Sequence, residues 1–193
     1  MTSPEGLLLF PGAGAGRESP ALVAVDEAVA PGLGDGPVPV VRADFPYRRE
    51  GRKAPDRAPK LIACVRDEAA ALATSAGIAP GSLALGGRSM GGRMCSMAVA
   101  EGLPAAALVL IAYPLHPPGK PEKLRIEHLP QITVPCLFVS GTRDPFGTPD
   151  ELTEHTAAIA GPVTHEWVEG GRHDLKGTEA AVAATIRDWL AAL

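Results

Sequence analysis

No stretch of these 193 residues approaches the roughly eighteen consecutive apolar positions of a membrane span, and no basic segment opens the sequence. A cytoplasmic protein without a membrane partner is predicted. Positive charge is also in short supply: 18 Lys and Arg against 22 Asp and Glu leave a formal charge of -4, which removes any global attraction to nucleic acid. A small-molecule partner is expected instead. The three cysteines, Cys64, Cys95 and Cys136, are odd in number, widely spaced and set in apolar sequence, so they read as buried small hydrophobes. No two histidines have metal-ligand spacing, and neither a metal nor a cofactor is expected. Internal repeats and domain linkers are missing too, so residues 1-193 are read as one domain.

Short apolar runs are present in number, near residues 6 to 10, 37 to 43, 82 to 86, 106 to 112, 135 to 140 and 163 to 168, each bounded by Gly, Pro or polar residues. Between most of them lie segments of helical period. Leu61, Val65 and Leu72 share one face before Gly77, and Val182, Ile186, Leu190 and Leu193 share another. Thr148-Pro149-Asp150-Glu151 combines a capping Thr, Pro at the first helical position and Glu three residues after the cap, so a helix should begin just after Gly147. This alternation predicts an α/β fold: a mostly parallel sheet of about six strands with helices on both faces. In such folds ligands bind at the carboxyl ends of the strands, which directs attention to the loops that follow them.

The run Ser82-Leu-Ala-Leu-Gly-Gly enters Gly87-Arg88-Ser89-Met90-Gly91, followed by a helical stretch. This is G-x-S-x-G between strand and helix, where small flanking residues permit a sharp turn that pushes the serine hydroxyl outward as a nucleophile. A serine hydroxyl needs a base and an acid that orients it. Asp144 follows the fifth apolar run in Gly141-Thr-Arg-Asp-Pro-Phe-Gly147, and His173 follows the sixth in Gly170-Gly-Arg-His-Asp174. Ser89, Asp144 and His173 thus stand in the chain order Ser, Asp, His at three strand ends. Asp174 adjoins the histidine too closely to reach its ring from the proper side. His128, His155 and His165 read as ordinary surface or satisfied residues.

The stretch Phe10-Pro-Gly-Ala-Gly-Ala-Gly-Arg17 after the first run admits two readings. As a phosphate cradle it would pair with Asp44, after the second run, as the ribose-binding acid of a dinucleotide-binding Rossmann-type protein. Its glycines at 12, 14 and 16 form G-x-G-x-G rather than G-x-G-x-x-G, and that reading leaves Ser89, Asp144 and His173 without work. As an oxyanion loop it would present the Ala13 amide beside that of Met90. The oxyanion hole is therefore assigned to Ala13 and Met90.

The segments "GGRSMGGR", "GTRDPFGT", "GGRHDL" and "YPLHPPGKPEKLRIEHL" together resemble the small, lidless α/β-hydrolases of the dienelactone-hydrolase-like group. Within it the sequence is most similar to the subgroup of predicted hydrolases related to the testis-expressed hydrolase-like proteins. The resemblance runs from the first strand to the last helix and implies an α/β-hydrolase fold without a cap domain, with Ser89 as nucleophile, Asp144 as acid and His173 as base. Dienelactone hydrolases proper carry a cysteine where Ser89 stands, so their substrate is not carried over. A serine hydrolase of the carboxylesterase type, acting on a small ester or thioester, is the expected function. The alternative is a hydrolase-fold protein retained for binding.

Arg17, Arg88, Arg143 and Arg172 each lie within a few residues of one of these loops and are candidate contacts for a substrate anion. The connection over residues 113 to 129 is expected to line the acyl pocket, with His116 near its mouth.

Overall fold

The computed structural model describes residues 3-34 and 36-193. The first run forms strand β1 (Gly6–Phe10), whose five residues are all buried, the pattern of a strand covered on both faces. The others follow as β2 (Val40–Arg42), β3 (Leu83–Arg88), β4 (Ala107–Ile111), β5 (Cys136–Gly141) and β6 (Val163–Val168). They pair in parallel throughout, in the order β2-β1-β3-β4-β5-β6. The helices are α1 (Pro20–Val29), α2 (Pro46–Arg49), α3 (Ala58–Ala76), α4 (Met90–Ala100), α5 (Pro149–Thr156) and α6 (Glu179–Ala191).

Alternation along the strands divides the core in two. Leu8 and Phe10 pack with Leu85, Leu110 and Phe138 beneath α3 and α4, where Leu61, Val65, Leu72, Met94 and Ala98 meet them. Leu7 and Leu9 point the opposite way, toward Val109, Ile111 and Val139 beneath α1 and α6, which contribute Leu22, Val25, Ile186 and Leu190. Burying each such Leu, Ile, Val, Phe or Met side chain stabilises the fold by about 1.5–3 kcal/mol. Both faces of the sheet are thereby sealed, and only its edges and ends remain for chemistry.

Local signals account for most boundaries. The α3 helix stops at Gly77, which adopts φ 69°, ψ 28°, a left-handed cap that glycine takes at little cost. At α5 the expected capping box is complete: the Glu151 amide donates to Thr148 Oγ1 at 3.3 Å and the Thr148 amide to Glu151 Oε2 at 2.8 Å. The second strand is shorter than the expected run of residues 37 to 43, because Pro37 and Pro39 lack the amide hydrogens that a ladder needs. The third runs on to Arg88 instead of ending at residue 86. Between β4 and β5 the chain forms only one short 3-10 turn, Leu129–Gln131, and no inserted domain. Among the described residues, no helix is long and apolar enough to cross a membrane.

Candidate active site

The strand order places a crevice where the chemistry-bearing loops converge. The chain leaves β1 toward β2 on one side and resumes at β3 on the other, so the loops after β1 and β3 part at the carboxyl edge of the sheet. The glycine loop and the Ser89 turn flank that opening.

Ser89 sits at φ 52°, ψ -117°, a conformation costly for a residue with a side chain. Its amide donates to the Ile111 carbonyl at 2.8 Å, which anchors the turn to the end of β4. A Cβ at Gly87 or at Gly91 would collide with the Phe10 carbonyl, so the small flanking positions are demanded by close approach to β1. The hydroxyl emerges toward His173, with Ser89 Oγ and His173 Nε2 2.9 Å apart. On its other side the ring places Nδ1 2.8 Å from Asp144 Oδ2 and 3.0 Å from Oδ1. With Nδ1–H donating to the carboxylate, Nε2 is left to accept the serine proton.

Three further contacts hold this relay. Asp144 is 3% exposed, and its Oδ1 accepts the Phe146 amide at 2.9 Å, the local turn that an Asp-Pro pair favours. The Phe146 ring stacks on His173 with centroids 3.9 Å apart. Arg88 Nη2 donates to the His173 carbonyl at 2.7 Å, tying the histidine loop to the strand that carries Ser89. Burial lowers the pKa of Arg88, against the pull of Asp174 and Asp144. Asp174 itself is exposed and, among the described residues, accepts only the Lys176 amide, at 3.4 Å.

The glycine loop lines the same cleft of about 450 Å³, together with Ser89, Met90, Arg93, Pro114, Arg125, Phe146 and His173. Among the described residues, neither the Ala13 nor the Met90 amide donates to a backbone carbonyl. The Ala13 carbonyl turns the other way and accepts from the Tyr47 hydroxyl at 2.8 Å. Asp44 accepts the Arg17 amide at 2.8 Å, so the acid of the dinucleotide reading serves to hold this loop.

The four arginines of the sequence reading separate. Arg88 borders the cleft and also a neighbouring depression of about 530 Å³, which Arg143 and Arg172 line as well. Arg17 lies apart, its side chain 60% exposed and 3.4 Å from Glu18. His116 does not stand at the mouth: it is buried, with Nδ1 2.9 Å from the Pro117 carbonyl and Nε2 3.5 Å from Glu151. Segment 113 to 129 reaches the cleft through Pro114 and Arg125 instead. Arg93 and Phe146 line the cleft as well. Arg93 had a signal, its place four residues after Ser89 on one helical face; Phe146 follows Asp144 by two in the same turn. Arg125 had none, because only the fold brings it near.

Residues 4–191 match a family described as an alpha/beta hydrolase domain. Among solved structures, the fold is similar to that of a putative hydrolase of the alpha/beta superfamily from Xanthomonas campestris, with a TM-score of 0.72, 20% identity, and 98% of this chain and 99% of that one covered. It is similar also to dienelactone hydrolase from Anabaena variabilis (TM-score 0.72, 20% identity, 96% and 85% covered). A third similar structure is the RedJ thioesterase of the prodiginine biosynthetic pathway in Streptomyces coelicolor (TM-score 0.70, 18% identity, 96% and 90% covered).

Proposed function

The chain belongs to the alpha/beta hydrolase family, and from that premise we propose that it is a serine hydrolase cleaving a small ester or thioester. One observation carries the reading: Ser89, His173 and Asp144 form a continuous hydrogen-bonded line, with links of 2.9 Å and 2.8 Å, at the mouth of a cleft. In the reaction His173 Nε2 takes the Ser89 proton as Oγ bonds to the acyl carbon, and Asp144 stabilises the resulting imidazolium. The Ala13 and Met90 amides receive the developing oxyanion, each such donor being worth about 2.7–4 kcal/mol. The bond from the acyl carbon to the leaving oxygen or sulfur then breaks, and the leaving group takes the proton from His173. Water, activated by the same histidine, cleaves the acyl-enzyme to the free acid and restores the serine.

The segments "GGRSMGGR", "GTRDPFGT" and "GGRHDL" support a place in the dienelactone-hydrolase-like group, in the subgroup that includes the testis-expressed relatives. Three free, buried cysteines are consistent with work in the cytoplasm on a small-molecule acyl substrate.

A fluorophosphonate probe tests the reading. A covalent adduct on Ser89, absent from Ser89→Ala and suppressed in His173→Ala, is expected. Folded protein whose Ser89 stays unlabelled would exclude the nucleophile role.

A further inference from the structure

The cleft beside Ser89 is lined by three arginines, Arg88, Arg93 and Arg125, and among the described residues only the first has a hydrogen-bond partner for its side chain. Among the described residues, no carboxylate lies within ion-pair reach of Arg93 or Arg125, although ten ion pairs of Lys or Arg with a carboxylate form elsewhere. Arg93 Nε is buried and has no hydrogen-bond partner. Arg125 is partly buried as well, and burial, followed by the Arg93 charge, lowers its pKa. Two half-buried like charges, one of them with an orphaned donor, are costly to a fold unless an anion completes them.

The protein nevertheless invests in holding them. The Ser96 hydroxyl donates to the Arg93 carbonyl at 2.8 Å, and the Tyr113 hydroxyl lies 3.4 Å from the Arg125 carbonyl. His128 Nε2 links the two hydroxyls, 2.8 Å from Ser96 Oγ and 3.3 Å from Tyr113 Oη. This buried polar network pins the backbones from which both guanidiniums project. Arg93 stands one helical turn after the nucleophile, with its amide on the Ser89 carbonyl at 3.1 Å, so its side chain shares the face of the serine.

We infer that the substrate is anionic: the acyl portion ends in an oxyanion, a carboxylate or a phosphate, that bridges Arg93 and Arg125 while its carbonyl meets Ser89. This rests on the hydrolase reading above. Guanidiniums match such groups through paired N–H donors, and the geometry favours a short acyl chain, since both ends bind within one cleft.

The test compares an aryl hemiglutarate with the aryl pentanoate of equal acyl length. A kcat/KM ratio favouring the hemiglutarate by at least about tenfold is expected, and Arg125→Gln and Arg93→Gln should each lower that ratio about tenfold or more. Arg187→Gln, which removes a surface partner of Asp188, should leave it unchanged. Equal turnover of the two esters, with Ser89 labelled by the fluorophosphonate, would overturn the anion site and spare the hydrolase reading. If Ser89 stays unlabelled, the anion site is read from stability: glutarate or inorganic phosphate should raise the thermal midpoint of the wild type and not of Arg125→Gln. The anion giving the larger rise identifies the group recognised; a rise with neither overturns the inference.

Discussion

Ser89 combines a strained backbone with a hydroxyl held 2.9 Å from His173 Nε2, and the two can be separated by substitution. Ser89→Gly should relieve strain of about 1–3 kcal/mol, offset in part by the greater freedom of glycine in the unfolded chain, for a thermal midpoint a few degrees higher and no turnover. Ser89→Ala, which keeps the Cβ, should lose turnover without that gain; equal midpoints for the two variants by calorimetry would contradict the strain. At Gly91 the opposite holds: Gly91→Ala should destabilise by about 2 kcal/mol or more in urea unfolding, because the added methyl meets the Phe10 carbonyl. Legibility differs sharply between residues. Ser89, Asp144 and His173 were readable because each follows an apolar run and is framed by Gly or Pro. Arg17 and His116 have the same proximity in sequence, yet one faces solvent and the other is buried against Pro117 and Glu151. Nearness along the chain does not give the direction of a side chain.

At the scale of elements, helices and strands with strong local chemistry were the readable ones. The capping box of α5 is local, and Thr148→Ala should cost about 1 kcal/mol by removing it, measured as a shift in urea midpoint. The connection between β4 and β5 depends instead on tertiary contacts, and its path was not legible. His128 pins it to α4 through Ser96, and burial together with the Arg93 charge holds the ring neutral, its pKa pushed down to about 4. The unfolded chain binds a proton near pH 6.5 that the folded protein refuses, so stability is full above that pH and falls as pH drops toward about 4. A loss of about 2 kcal/mol between about pH 7 and about pH 5 is expected by chemical denaturation. His128→Gln should flatten that slope; an unchanged slope would count against the assignment.

For the whole molecule, alternation of strand and helix was enough to predict the parallel sheet, but not the order of its strands. That order, with β1 between β2 and β3, is what brings the glycine loop and Ser89 to one crevice. Charge is arranged unevenly on this frame: a formal -4 overall, with Arg88, Arg93, Arg125, Arg143 and Arg172 around the cleft and its neighbour. Local attraction must therefore act against a net repulsion. Turnover of an anionic ester should fall severalfold as ionic strength rises from about 0.05 M to about 0.5 M, while that of a neutral ester stays level. Parallel decline of both would remove the electrostatic account.

The bond from Arg88 to the carbonyl of His173 has a mechanical consequence. Ser89 and His173 come from distant parts of the chain, yet the residue beside Ser89 grips the main chain of the histidine. An excursion that swings the His173 ring away must either break this bond or move the end of β3, and a hydrogen bond from a charged donor resists that by about 1.5–3 kcal/mol. The strut thus braces the spacing between the Ser89 hydroxyl and the His173 ring, in addition to the loops that carry them.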